Sequence, residues 1–311
     1  MFTRLLVPTD FSAPSDAALA HARTLAGALG ADLHVLHLIG NAFLHAVVSD
    51  PRAIKTAAQK RLNDRLTEDN RGSVQITAAV DNSDTPAEEI VRYARTHNIT
   101  LIVMGTHSRS SASHALIGSV AEKVVRGAPC PVMTIREAPG TPSPAAAGIV
   151  RILVPTDFSA PSDAALACAR ELAAGFGASI RLLHVLDELP GTAALGAEFG
   201  TEPPEARLAR IRDAQNRLTH RMGGHDPGAA SATTEVIVGR SAEAIVGAAA
   251  DGDFDLIVMG THGRRGIAHL LMGSVAEHVI RGARCPVMTV RDLAQPATVP
   301  TVDPGAIGAL A

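Results

Sequence analysis

Residues 260–274 read GTHGRRGIAHLLMGS, in which Gly260, Gly263, Gly273 and Ser274 form a GxxG, a nine-residue spacer and a final GS. Glycine tolerates positive φ and lets an anion approach the backbone with no Cβ in the way. The apolar run FDLIVM before this stretch predicts a buried strand, and SVAEHVIRGA after it predicts a helix. Unpaired amides and the positive end of a helix dipole then converge on the glycines, which is the chemistry of phosphate binding. Ser274 adds a hydroxyl at the helix start, and His262, Arg264 and Arg265 add donors for outer phosphates. A plain glycine loop with a capping serine and solvated arginines is the alternative, and the position after a strand argues for the anion.

PTDFS occurs twice, with Asp10 and Asp157 at the predicted carboxyl edge of a strand. A carboxylate there accepts hydrogen bonds from ribose hydroxyls or binds a cation. Equally, Thr9, Asp10 and Ser12, and likewise Thr156, Asp157 and Ser159, are suited to cap the next helix through bonds to its free amides. The residues alone leave both readings open.

The glycine loop has a first version, GTHSRSSASHALIGS at 105–119, which keeps Gly105, Gly118 and Ser119. Ser108 stands in place of Gly263, and Ser110 and Ser111 in place of Arg265 and Gly266. Serine introduces steric cost where positive φ or a close phosphate is needed, so the first site is expected to be weaker or absent.

No catalytic residue and no metal site is assigned. His37, His107, His184 and His262 fall at strand edges without HExxH or comparable spacing, and read as structural or phosphate-contacting groups. The chain lacks a GxSxG elbow, a GxxxxGK[ST] loop and the kinase signatures. Cys130 and Cys285 precede PVMT in matching places and read as small core residues, and Cys168 as the counterpart of His21.

The elements that position these groups follow from a duplication. LVPTDFSAPSDAALA runs from Leu6 to Ala20 and again from Leu153 to Ala167, an offset of 147, whereas VMGTH, GSVAE and CPVMT recur at an offset of 155. The second copy therefore carries eight more residues in its middle, placed in DELPGTAALGAEFGTEPPE. Within each copy, short Val/Ile/Leu runs alternate with segments of helical apolar spacing, which predicts parallel strands joined by helical crossovers. The fold expected is α/β: two tandem, doubly wound, five-stranded parallel-sheet domains, with ligands beyond the carboxyl ends of the strands. The boundaries are a first domain at 1–136, a Pro/Ala/Gly-rich linker at 137–149, a second domain at 150–292 and a flexible tail at 293–311.

At 311 residues and 46% hydrophobic content the chain has enough core for two domains, and its net charge of -3 supplies no basic field for nucleic acid or an anionic membrane. MFTRLLVPTDFS reaches Asp10 before a signal-like core forms, and no run of eighteen apolar residues occurs. With three cysteines and no CxxC, a reducing cytoplasm is the expected location.

With PTDFS, the LHV of the second strand, MGTHG and GSVAEHV assembled, the chain resembles a tandem universal stress protein over both repeats. The resemblance implies a Rossmann-like fold of the adenine nucleotide alpha-hydrolase type and ATP as ligand, with AMP, ADP and accompanying Mg2+ left open. It implies that Asp157, with Pro155 and Thr156, lies against the nucleoside and that main-chain groups of Val185 pair with adenine. Met259 and Gly260 would meet the ribose region, and Gly263, Gly273, Ser274 and Val275 would enclose the phosphates beside Arg264. The first-repeat counterparts are Asp10, Leu38, Gly105, Gly118 and Ser119, with Ser108 placing their phosphate site in doubt. It further implies pairing through PVMTIR and PVMTVR into an internal pseudo-dimer, with homodimerisation and protein partners left open. The function expected is an ATP-binding stress-response protein whose second domain carries the nucleotide. A slow Mg-dependent ATP hydrolase and a nucleotide-independent interaction scaffold are the alternatives.

Overall fold

The computed structural model describes residues 1–41, 51–67, 74–106, 117–136, 148–187, 203–223, 231–261 and 272–291. In the first repeat, β1 (Arg4–Thr9), β2 (Asp32–Ile39), β3 (Ile76–Asn82), β4 (Leu101–Gly105) and β5 (Val132–Ile135) alternate with α1 (Ala13–Leu29), α2 (Pro51–Thr67), α3 (Pro86–Thr96) and α4 (Ser119–Gly127). The second repeat has β6 (Arg151–Pro155), β7 (Ser179–Leu186), β8 (Ala232–Val238), β9 (Leu256–Gly260) and β10 (Val287–Val290). Its helices are α5 (Ala160–Phe176), α6 (Pro204–Met222), α7 (Ser241–Asp251) and α8 (Ser274–Gly282).

The strands are apolar at successive positions because helices cover both faces of the sheet. Leu5 and Val7 pack in the layer that holds Ala18, Ala22 and Leu25 of α1, whereas Leu6 packs in the layer that holds Ile90 of α3 and Val124 of α4. Helices α1 and α5 open on Ala-Pro, where a missing N–H is no loss, and close on Gly30 and Gly177 at φ 63° and 67°. The amides of Ala31 and Ala178 fold back onto the carbonyls of Ala26 and Ala173 at 2.9 and 3.0 Å.

The ten strands form one sheet in the order β3-β2-β1-β4-β5-β10-β9-β6-β7-β8. Every pairing within a repeat is parallel, and strand order reverses between β1 and β4 and between β6 and β9, the place where such sheets open a ligand crevice. The two halves join through their last strands: β5 and β10 are antiparallel, with Met133 level with Met288. The Thr134 hydroxyl donates to Val287 O at 3.0 Å, and the Thr289 hydroxyl to Val132 O at 3.2 Å. Arg136 donates across the seam to the carbonyl of Arg281 at the end of α8, and Arg291 reciprocates onto Arg126 at the end of α4. Each arginine thus places a cation at the negative end of the other repeat's helix.

The eight-residue difference between the copies resolves into two changes. Equivalent elements start 147 residues apart at β2 and β7, 156 apart at β3 and β8, and 155 apart at α3 and α7. Nine residues are therefore added ahead of β8 and one is removed between β8 and α7. Of the segment expected to carry the insertion, 187–205, residues 188–202 fall outside the described residues, as do 137–147 of the linker and the tail at 293–311.

Helices α1 and α5 pack against each other at the seam. There His21 lines a small cavity with Leu25, Met133, Phe176 and Leu256, and burial lowers its imidazole from 6.5 to about 4. The unfolded chain takes up this proton near 6.5 and the folded chain only near 4, so the folded state loses stability as pH falls through that window. The loss reaches about 2 kcal/mol by pH 4.5, after allowance for partial exposure. His21→Cys, which copies Cys168, is expected to remove that part of the acid sensitivity while leaving stability at pH 7 little changed. Urea denaturation of both proteins at pH 7 and 4.5 checks this, and an identical pH dependence contradicts it.

Candidate functional site

Between β6 and α5 the chain turns on side-chain oxygens. Asp157 Oδ1 accepts the Ser159 N–H at 3.1 Å and the Ser159 hydroxyl at 2.5 Å. Thr156 Oγ1 accepts the Phe158 N–H at 3.0 Å and shares a 3.0 Å hydrogen bond with the Ser162 hydroxyl. The same bonds recur at Thr9, Asp10 and Ser12. These side chains hold the turn rather than the helix, since the N-cap residues Ser12 and Ser159 make no capping side-chain bond. Direct capping of the helix amides, one of the two expectations for PTDFS, is therefore replaced by an Asx-type turn. Pro155 and Thr156 are buried, while Asp157 remains half-buried at the crevice edge. At Asp10 burial raises the carboxyl pKa, but hydrogen bonds from Ser12 and Ser15 outweigh it and hold the group below the usual carboxylate range.

Register carries this turn to the glycines. Ile152 pairs with Leu256 and Leu153 with Ile257, so Thr156 lies level with Gly260 where β6 and β9 end. A Cβ on Gly260 would meet Pro161 Cβ at 3.0 Å, Pro161 C at 3.1 Å and Ser162 N at 3.2 Å. On Gly105 it would meet Pro14 Cβ at 2.8 Å and Pro14 C and O at 2.9 Å. Glycine is favoured at both places by the close approach of the helix that follows the neighbouring strand, α1 after β1 and α5 after β6, a different reason from the ligand access or positive φ that the loop pattern suggests.

The N-terminus of α8 closes the same crevice. Gly273 is its N-cap at φ -61° and ψ 141°, with its N–H bonded to Thr261 O at 2.9 Å and no side chain to cap the helix. Any residue adopts that backbone, so positive φ is not what selects glycine here. Glu277 N–H closes the first turn onto Gly273 O at 3.0 Å, so the N–H groups of Ser274, Val275 and Ala276 have no acceptor within the helix. Ser274 is exposed and Val275 half-buried. The first repeat matches: Gly118 has φ -60° and ψ 142°, its N–H meets Thr106 O at 2.6 Å, and Ser119 and Val120 follow.

The β6–β7 register ends at Pro155 and Leu183, with Thr156 N–H on Leu183 O at 2.8 Å. Peptide groups alternate along a strand, so those of Val185, two residues on, face the same edge beyond the ladder. Leu38 holds the equivalent place, since β1 pairs with β2 only as far as His37. His184 Nδ1 lies 2.7 Å from Thr156 O and His37 Nδ1 2.8 Å from Thr9 O. A carbonyl only accepts, so Nδ1 carries the hydrogen in both and the rings act as struts between strands.

The structure thus brings Pro155, Thr156, Asp157, Val185, Met259, Gly260, Gly273, Ser274 and Val275 to one strand-end crevice, and Asp10, Leu38, Gly105, Gly118 and Ser119 to its counterpart. Gly263, Arg264, His262, Arg265, His107 and Ser108 lie outside the described residues. Burial pushes the thiols of Cys130 and Cys285 up to about 12 and that of Cys168 up to about 11, which suits packing residues. Among the described residues no group of three His, Cys, Asp or Glu is placed to hold a metal, and no helix is long and apolar enough to cross a membrane.

One set of residues was not anticipated from the sequence. Phe158 has φ 65°, and Phe11 φ 60°, a conformation that bulky residues rarely adopt. The ring of Phe158 sits 4.4 Å from that of His184, with the Arg217 guanidinium 3.8 Å from its centre. The signal was present in a shared R-L-x-x-R: RLNDR at 61–65 and RLTHR at 217–221.

The model of the universal stress protein family matches residues 1–136 and 149–291. A universal stress protein of Mycobacterium tuberculosis is 27% identical over 303 residues, covering 92% of this chain and 96% of its own. One from Thermus aquaticus is 34% identical over 143 residues, 45% of this chain and 97% of its own. Among solved structures, a universal stress protein from Archaeoglobus fulgidus aligns with a TM-score of 0.65 at 20% identity, covering 94% of this chain and 99% of that one.

Proposed function

We propose, from the premise that this chain belongs to the universal stress protein family, that its second repeat binds ATP and that occupancy changes the surface it shows to partners. The observation that carries the reading is the meeting of an uncapped helix start, Gly273–Val275, with the Asp157 turn at the point where strand order reverses. The amides of Ser274 and Val275, with the helix dipole, suit phosphate oxygens, and Gly263 and Arg264 complete that side. Asp157 suits ribose hydroxyls, as does the backbone of Met259 and Gly260. The peptide edge of Val185 beyond the β6–β7 ladder suits the hydrogen-bonding edge of adenine. Mg2+ accompanying the nucleotide would neutralise phosphate charge.

The first repeat has the same scaffold at Asp10, Leu38, Gly105, Gly118 and Ser119, so its nucleotide affinity turns on Ser108. With serine there, the first repeat serves as the fixed partner of the second through the β5–β10 seam. A ligand signals only if it stabilises one conformation over another.

Ligand linkage tests the proposal. ATP at 100 times its dissociation constant is expected to stabilise the folded chain by about 2.7 kcal/mol. Gly263→Ser, which copies the first repeat, is expected to remove most of that gain. Equal stabilisation of both proteins would refute the assignment to the second repeat.

A further inference from the structure

We infer that Arg217 and Arg221 on α6 are positioning residues for the crevice, holding the Asp157 turn in shape through the backbone of Phe158. The inference rests on the nucleotide reading above for its effect on affinity, but its geometry stands apart from any ligand.

Asp157 sits beside a phenylalanine at φ 65°, whose N–H meets Thr156 Oγ1 at 3.0 Å, and a bulky side chain is disfavoured in the left-handed region unless its surroundings fix it. The surroundings here come from two other elements. His184 on β7 flanks one side of the ring, and Arg217 lies 3.8 Å from its centre, with the Arg221 guanidinium at 5.1 Å. Arg221 also donates to the Phe158 carbonyl at 3.3 Å, and is itself fixed by a two-point pair with Asp163, Nε to Oδ1 at 2.6 Å and Nη2 to Oδ2 at 2.9 Å. Ring, carbonyl and the next helix are thus gripped by side chains one helical turn apart on α6.

The first repeat carries the corresponding ring and ion-pair contacts. Phe11 has φ 60°, its ring lies 4.5 Å from that of His37, Arg61 sits 4.2 Å from its centre, and Arg65 pairs with Asp16. The two latches occupy helices that follow segments of different length, so the contact survives a change in the chain that leads into it. Release of α6 frees Phe158 to leave positive φ, and that rotation moves Asp157 and the Ser159 amide it binds.

The test uses the full chain in two measurements. Amide exchange without nucleotide is expected to show protection of the Ser159 N–H in the wild type and its loss in Arg217→Ala/Arg221→Ala, with exchange in the β6 and β9 amides unchanged. ATP binding by the same variant is expected to weaken about tenfold, as follows if the competent turn falls to roughly a tenth of the population. Phe158→Gly accepts positive φ without help, so in that background removing the arginines is expected to cost little further affinity. Undiminished Ser159 protection in the double variant would overturn the latch. So would a full tenfold loss persisting in the Phe158→Gly background, because the arginines would then act on the nucleotide directly. Loss of protection together with no ATP binding by the wild type would overturn the nucleotide reading and leave the latch standing.

Discussion

Gly273→Asp is expected to stabilise the nucleotide-free protein and to abolish ATP binding, two effects of opposite sign from one substitution. Gly273 is an N-cap at φ -61° and ψ 141° with no capping side chain, and aspartate is among the strongest residues for that position. An accepted amide and a favourable charge at the helix start are worth about 0.5–1 kcal/mol. The same carboxylate would occupy the place assigned to a phosphate, and a like charge there costs several kcal/mol, or at least about 100-fold in affinity. Gly118→Asp in the first repeat is the control, with the same gain in stability and no loss of binding. Chemical denaturation and ATP titration of both variants check the pair. Retained ATP binding in Gly273→Asp would remove the helix start from the site.

Gly105→Ala and Gly260→Ala are expected to destabilise the protein whether or not a nucleotide is present. A Cβ at 105 would sit 2.8–2.9 Å from atoms of Pro14, backbone among them, and at 260 would sit 3.0–3.2 Å from Pro161 and Ser162. Backbone at a helix start cannot rotate aside as a flexible side chain can, so strand and helix must separate. Overpacking of this kind costs about 1–3 kcal/mol, and the shorter distances make Gly105→Ala the worse of the two. Urea denaturation without ligand measures both costs. Two stable variants, with ATP binding weakened in Gly260→Ala, would instead mean that glycine there serves ligand approach.

These glycines mark where sequence reading stops. A glycine after an apolar run shows that something comes close to the backbone, and the pattern is the same whether that is a phosphate or a proline on the helix that follows the neighbouring strand. The repeat, by contrast, was legible because LVPTDFSAPSDAALA recurs intact, and alternating elements then fix parallel strands and a crevice at their ends. Joining at the last strands followed from family resemblance, and its register, with Met133 level with Met288, needed the structure. Phe158 was opaque because nothing marks a phenylalanine as left-handed except the distant arginines that hold it. The offset between the copies hid a compensating deletion, since a one-residue loss after β8 and a nine-residue gain before it look like a single insertion of eight.

On the proposed function one repeat of the two carries the nucleotide, and calorimetric titration of nucleotide-free protein with Mg-ATP counts the sites per chain. One site is expected, retained in Gly118→Asp and lost in Gly273→Asp. Two equal sites would contradict it by showing that Ser108 is harmless, and no site at all would contradict the nucleotide reading itself.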